Sequence, residues 1–197
     1  MTEIKLNLGS GYLPLPDYVN IDLIATEPNF GVDVIHDIRD LKNIYKDNSV
    51  DEIFAKDSLE HIGWREVPRV LKEWVDILKP GGVLKIRVPD ADRIMDEYFT
   101  HRNDDDAYNK FGRMQQLLFG DQDFPENTHL AAFRREFLIK DLEKLGMKLA
   151  QDHWYDGGRD LRLTMIKGDG EPLVPLDHPD YKYKELNRQQ HREMFNK

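Results

Sequence analysis

"LNLGSGYLPLPDYVNIDL", residues 6–23, holds two short apolar runs separated by a loop rich in Gly and Pro. The first run ends on Gly9-Ser10-Gly11 and the second on Asp22. Two glycines after a buried strand let a ligand approach the backbone. A dinucleotide fingerprint, G-x-G-x-x-G, would open a helix here. Pro14 stands at the third glycine position and Pro16 follows, so continuous helix is disfavoured, and a pyrophosphate site with it. The segment by itself also fits a plain tight turn. Gly11 to Tyr18 is short for a link between parallel strands, which usually takes about a dozen residues or more. A compact, proline-shaped crossover without a helix is therefore expected, with 4–8 and 18–23 as parallel strands.

Three further strands follow at 33–38, 50–56 and 83–89, the last with β-branched alternation. Between the last two, Val67, Val70, Leu71, Trp74, Ile77 and Leu78 recur at helical spacing. Pro68 suits only the first turn of that helix, and Pro80-Gly81 is a turn signal that ends it. Strand, helix, strand with short links is a βαβ unit, so the first half of the chain reads as α/β. Asp90 can cap the next helix, with Ile94, Met95, Tyr98 and Phe99 on its apolar face. Another helix is expected near 106–119, then an irregular loop, then a helix over 135–145 carrying Phe137, Leu138, Leu142 and Leu145. Gly146 is its stop. Two closing strands are expected to join through Gly157-Gly158.

The chain's 197 residues suit one domain. Residues 1–170 are read as that domain, with 90–146 as a helical substrate cover and 171–197 as a polar C-terminal extension. The extension is expected to pack on its own domain or on a second copy, so a homo-oligomer is carried as an expectation. With no cysteine, the chain has no disulfide, thiolate metal site or cysteine nucleophile. A net charge of −9, from 28 basic and 37 acidic residues, argues against a nucleic-acid surface. No membrane-length apolar run and no signal-peptide pattern is present, so a cytoplasmic protein is expected.

The ordered set "LNLGSG", "VNIDL", "DVIHDIRDL", "NSVDEIFAKDSLEHI" and "VLKEWVDILKPGGVLKIRVPD" resembles the class I S-adenosylmethionine-dependent methyltransferases over about residues 4–90. The later "FLIKDLEKLGMKL" is similar to the family's last helix and following strand. The resemblance implies a Rossmann-like three-layer α/β/α sandwich. Its sheet would be seven-stranded and mostly parallel, with one antiparallel strand near an edge. S-adenosylmethionine would be the cofactor. It also implies that Gly9, Ser10 and Gly11, flanked by Leu8 and Tyr12, contact the methionine part. Asp22 would hold the ribose with Leu23 beside the adenine, and Asp37 and Ile38 would read the adenine edge and face. Lys56, Asp57, Glu60 and His61 would lie beside the sulfonium and the acceptor.

Bland alternatives stay open at each position. Asp22 also fits a strand-end turn, Asp37 a local cap within "DIRD", and Glu60-His61 a structural pair at a helix end. Methyl transfer needs a base only for a protonated acceptor. His61 is the first candidate and His129, in "NTHLAAF", the second, although His129 equally fits an ordinary loop position. The missing Asp/Asn-Pro-Pro-aromatic pattern and the acidic charge leave a small-molecule, sugar or glycan-like acceptor. Asp57, Glu60, His61, Asp90, Asp92 and His129 could converge near the strand ends, but no spacing matches a metal motif, so no metal is expected. The competing readings are a non-catalytic S-adenosylmethionine-binding module and another Rossmann-type nucleotide enzyme.

Overall fold

Seven strands form one mixed sheet in the order β3-β2-β1-β4-β5-β7-β6. They are β1 (Lys5–Leu8), β2 (Val19–Asp22), β3 (Val34–Ile35), β4 (Val50–Lys56), β5 (Leu78–Pro89), β6 (Met147–Asp152) and β7 (Asp160–Lys167). The computed structural model describes residues 3–11, 13–23, 31–152 and 159–176. Tyr12, the Gly157-Gly158 turn and the chain from 177 lie outside the described residues. β1 to β5 pair in parallel, and β7 runs antiparallel to both of its neighbours. The fold is thus Rossmann-like, with the single antiparallel strand next to an edge.

Leu6 pairs with Val19 and Leu8 with Ile21 in parallel register, and no helix occurs among the described residues between β1 and β2. Leu15 is buried and anchors the connection, its N–H donating to Asn20 Oδ1 at 2.8 Å. β3 is shorter than the expected 33–38. Arg39 donates its N–H to Asp37 Oδ1 at 2.9 Å, which turns the chain before a longer strand can form. β5 is longer than expected. Pro80-Gly81 does not end the pairing but bulges within it, with the register shifting between Val50↔Leu78 and Glu52↔Val83.

In-register neighbours of parallel strands point to the same face. One face carries Leu6, Ile53 and Leu84, and further along Leu8, Ala55 and Ile86, all within the main core. Helices α1 (Val67–Ile77) and α4 (Arg135–Lys144) cover it with Val70, Leu71, Trp74, Leu138 and Leu142. Trp74 is fully buried and donates its indole N–H to Ile38 O at 2.8 Å. The opposite face is polar. Glu52 and Lys85 are buried there as an ion pair at 2.7 Å, with Tyr18 Oη donating to Glu52 at 2.5 Å. Thr164 Oγ1, also on that face, donates to Leu176 O, and Val174 nearby in sequence is buried.

Helix α2 (Ala91–His101) begins at Asp90, whose side chain accepts from the N–H groups of Asp92 and Arg93. It packs against α3 (Ala107–Phe119). The expected apolar faces here are only partly used. Ile94 is buried, but Phe99 is exposed, Tyr108 is 89 % exposed, and no α3 residue is buried. Phe137 likewise misses the core. It lies exposed on α4 beneath the Arg134 guanidinium, 4.5 Å from its ring centre. No helix among the described residues is long and apolar enough to cross a membrane.

Candidate functional site

The glycine loop sits at the carboxyl ends of β1 and β2. Gly9 and Ser10 both donate their N–H groups to Ile21 O, at 2.9 and 3.2 Å. Gly9 has φ +65°, and a Cβ there would lie 2.6 Å from Ser58 Cβ, so the position needs glycine on two counts. Gly11, at φ +50°, donates its N–H to Asp22 Oδ2 at 2.8 Å. A Cβ on Gly11 would meet nothing within 4 Å among the described residues. Ser10 Oγ and Ser58 Oγ are buried without a hydrogen-bond partner among the described residues. Leu8 is buried beneath the loop, and Leu23 is exposed beyond the end of β2.

The structure gives Asp37 a partner of its own. The Arg39 guanidinium meets both carboxylate oxygens, at 2.5 to 2.9 Å. These hydrogen bonds hold the Asp37 carboxyl below the usual range. Ile38 is buried beside it, its carbonyl taken by Trp74.

Beyond Lys56, the last residue of β4, Asp57 adopts φ +49° and donates its N–H to Arg87 O at 2.9 Å. A non-glycine residue in that region marks a chain reversal held by its surroundings. A one-turn 3₁₀ helix, Leu59–His61, follows. It opens a cavity of about 450 Å³ over the ends of β4 and β5 and the start of β7. Asp57, Glu60, His61, Arg87, His129 and Asp160 line it, with Arg113, Asp121 and Arg159 among the residues on its other walls.

Glu60 is 1 % exposed, and its Oε2 has no hydrogen-bond partner. Burial pushes its carboxyl well above the usual range and the Asp57 charge adds to this, against a smaller opposing effect of Arg87. His61 Nδ1 lies 3.2 Å from Thr128 O, and His129 Nδ1 lies 3.0 Å from Leu117 O. The two rings meet edge to face at 4.9 Å. Burial lowers both imidazole pKa values, and for His129 the neighbouring His61 lowers it further. His129 reaches the site because its loop is tied down. Leu130 and Ala131 donate N–H to Glu60 O at 2.7 and 3.1 Å, and His129 N–H donates to Phe119 O at 3.0 Å. The cations on the walls are already engaged. Arg87 pairs with Asp160 and lies 3.5 Å from Asp57, and Arg159 pairs with Glu97.

Of the residues singled out from sequence, the structure thus gathers two groups. Gly9, Ser10, Gly11 and Asp22 form one, and Asp57, Glu60, His61 and His129 the other. Ser58 joins them, touching the position of Gly9 and sitting between Asp57 and Glu60. Asp90 and Asp92 instead serve the start of α2, Asp92 pairing with Arg134. Sequence reasoning missed Ser58, Arg87, Arg159 and Asp160. Arg87 carried a usable signal, because a cation in the last turn of a buried strand demands a partner.

Residues 18–86 match a family model described as a methyltransferase domain. No match is found among the curated proteins. Among solved structures, the chain is similar to an S-adenosylmethionine-dependent methyltransferase from Methanosarcina mazei, at 15 % identity, 86 % of this chain, 95 % of that one and a TM-score of 0.57. It is also similar to one from Clostridium acetobutylicum, at 14 % identity, coverage of 86 % and 85 %, and a TM-score of 0.56. A third is 1,6-didemethyltoxoflavin-N1-methyltransferase from Burkholderia thailandensis, with 1,6-didemethyltoxoflavin and S-adenosylhomocysteine bound. It matches at 14 % identity, coverage of 84 % and 71 %, and a TM-score of 0.53. At these identities the structures speak to the fold. They share this chain's Rossmann-like α/β fold, and the methyltransferase-domain match over residues 18–86 lies within it.

Proposed function

We propose that this enzyme transfers a methyl group from S-adenosylmethionine to a small polar acceptor, sugars included, held in the cavity beside Glu60, His61 and His129. The observation that carries the reading is the continuity of the two groups through Ser58. A glycine loop shaped for close backbone approach adjoins a cavity of about 450 Å³, within the range of small-molecule sites.

The residues present fit the cofactor. Among the described residues, Ser10 Oγ and Ser58 Oγ are buried polar atoms in want of a partner, and nothing lies within 4 Å of where a Gly11 Cβ would be. Asp22, fixed by the Gly11 N–H, is an acceptor suited to ribose hydroxyls, and Leu23 and Ile38 are apolar surfaces suited to a purine. Lys56 and Leu8 complete the strand ends from which this loop and cavity are built. The sulfonium supplies a methyl group already activated for in-line displacement. The protein's own task is then alignment and exclusion of water. His61 and His129, kept neutral by burial, offer imidazole lone pairs that can take a proton from an acceptor hydroxyl or amine. The mixed Arg and Asp walls favour a polar acceptor over a greasy one.

Calorimetric titration with S-adenosylhomocysteine and with NAD tests this. The former should bind and the latter should not. Asp22→Ala should weaken binding by roughly 10- to 100-fold, the loss of one charge-assisted contact. Absence of S-adenosylhomocysteine binding to the wild type would sink the reading. Transfer of labelled methyl from S-adenosylmethionine to a panel of small polar metabolites then identifies the acceptor.

A further inference from the structure

Glu60, His61 and His129 make up a donor set that methyl transfer does not itself call for. One ligand atom from each lies within 4.8 Å of the other two. Glu60 Oε2 is buried without a hydrogen-bond partner, and its residue lines the cavity together with both histidines. A carbonyl oxygen only accepts, so a neutral His61 facing Thr128 O and a neutral His129 facing Leu117 O each carry the proton on Nδ1. That leaves the Nε2 lone pair of His129 as a donor, whereas His61, whose ring also meets the backbone of Glu126 and Asp57, must turn to present one. Ring N–H groups tied to backbone carbonyls are the arrangement that orients metal-binding histidines. The backbone bonds from Leu130 and Ala131 to Glu60 O hold the His129 loop against the Glu60 turn, so the three side chains are brought together by the fold.

We propose that Glu60, His61 and His129 form a site for one first-row divalent cation of the zinc class, open to the cavity. Two imidazoles and one carboxylate suit zinc or iron(II), whereas magnesium and calcium prefer an all-oxygen shell. Ligands about 2.0–2.2 Å from one ion lie roughly 3.5 Å apart, so the side chains must close by about an ångström, within the reach of rotamer adjustment. The cation satisfies the orphaned Oε2. It also reverses the electrostatics at Glu60, where burial and Asp57 both disfavour the carboxylate. With the cation bound, the histidine lone pairs are ligands, and a hydroxyl or water on an open coordination position is acidified by the metal. The site stands on these three side chains whether or not methyl transfer is the reaction.

The test uses the untagged full chain, stripped of metal with a chelator and titrated with zinc chloride. One equivalent should bind. Glu60→Gln, His61→Ala and His129→Ala should each weaken it by about 100-fold or more, while circular dichroism stays as in the wild type, whose S-adenosylhomocysteine binding is measured separately. Retained S-adenosylhomocysteine binding separates this outcome from a failure of the cofactor reading. Should a variant fail to fold, the visible spectrum of the cobalt(II)-loaded wild type decides, since a low-coordinate nitrogen and oxygen set gives intense bands and a surface-bound hexahydrate does not. No stoichiometric zinc binding, undiminished affinity in all three variants, or a hexahydrate spectrum overturns the proposal.

Discussion

Gly9 combines a left-handed backbone with a neighbour, Ser58 Cβ, at the distance where its own Cβ would be. Gly9→Ala should therefore cost about 1–3 kcal/mol and also weaken S-adenosylhomocysteine binding, read by urea denaturation and calorimetry. Wild-type stability in the variant would mean that the loop is free to shift. Lys85 gives a separate prediction. It and Glu52 are paired and buried on the polar face. Lys85→Met leaves the carboxylate uncompensated and should cost about 3–5 kcal/mol, much of it recovered in Lys85→Met/Glu52→Leu. A double variant as unstable as the single one would contradict this account. At this scale the sequence was legible where chemistry is local. Gly9, Gly11 and Asp22 announce a loop and an acid at adjoining strand ends, and they do meet. The Glu52–Lys85 pair was not legible, because neither residue signals which strand its partner lies on.

The Asp37–Arg39 turn decides where β3 ends and buttresses Ile38 against Trp74 of α1. Its stability contribution depends on pH. Arg39 hydrogen bonds hold the Asp37 pKa below its ordinary value, so the folded chain binds fewer protons there than the unfolded one. The contribution is full above the unfolded value, about 4, and disappears as pH falls through the lower folded value. Denaturation midpoints of wild type and Asp37→Asn should thus differ at neutral pH and converge in acid. A constant gap down to the most acidic folded condition would exclude the assignment. α4, with a strong helical period and a clear stop signal, was readable almost to the residue, and α1 except at its end, where Leu78 and Pro80-Gly81 belong to β5. The apolar positions of α2 and α3 were readable as helix but not as core, since periodicity says that a face exists and not that anything covers it. His129 could not be assigned from sequence for the same reason. Long-range backbone bonds, those to Glu60 among them, hold its loop over the strand ends.

For the molecule as a whole, a cofactor that binds only the folded state should raise its stability. At 100 times its dissociation constant, S-adenosylhomocysteine adds about 2.7 kcal/mol, which for a chain of this length shifts Tm by roughly 5–10 °C. No shift under saturation would argue that the ligand binds the unfolded chain equally well. The sheet order and the antiparallel strand follow from the family resemblance. The placement of α1 and α4 on one face follows instead from right-handed crossovers that run the same way, β4 to β5 and β5 to β6, whereas the described residues of the β1–β2 link omit a helix. That omission also bears on how the chain folds. Leu6 finds Val19 close by along the sequence, whereas Lys5 must find Glu52 across much of the N-terminal half. Closing this short link costs roughly 0.7 kcal/mol less in chain entropy than closing a βαβ unit of about thirty residues. Local pairings of this kind favour early formation. Stopped-flow measurements on Leu15→Ala, which removes the buried anchor of the link, should show slower refolding with little change in the unfolding rate. Faster unfolding at an unchanged refolding rate would place the corner late. Slower refolding of that variant would make the loop proposed to receive the cofactor also the place where folding begins, so that selection on it would act twice, once through affinity and once through the speed of reaching the native state.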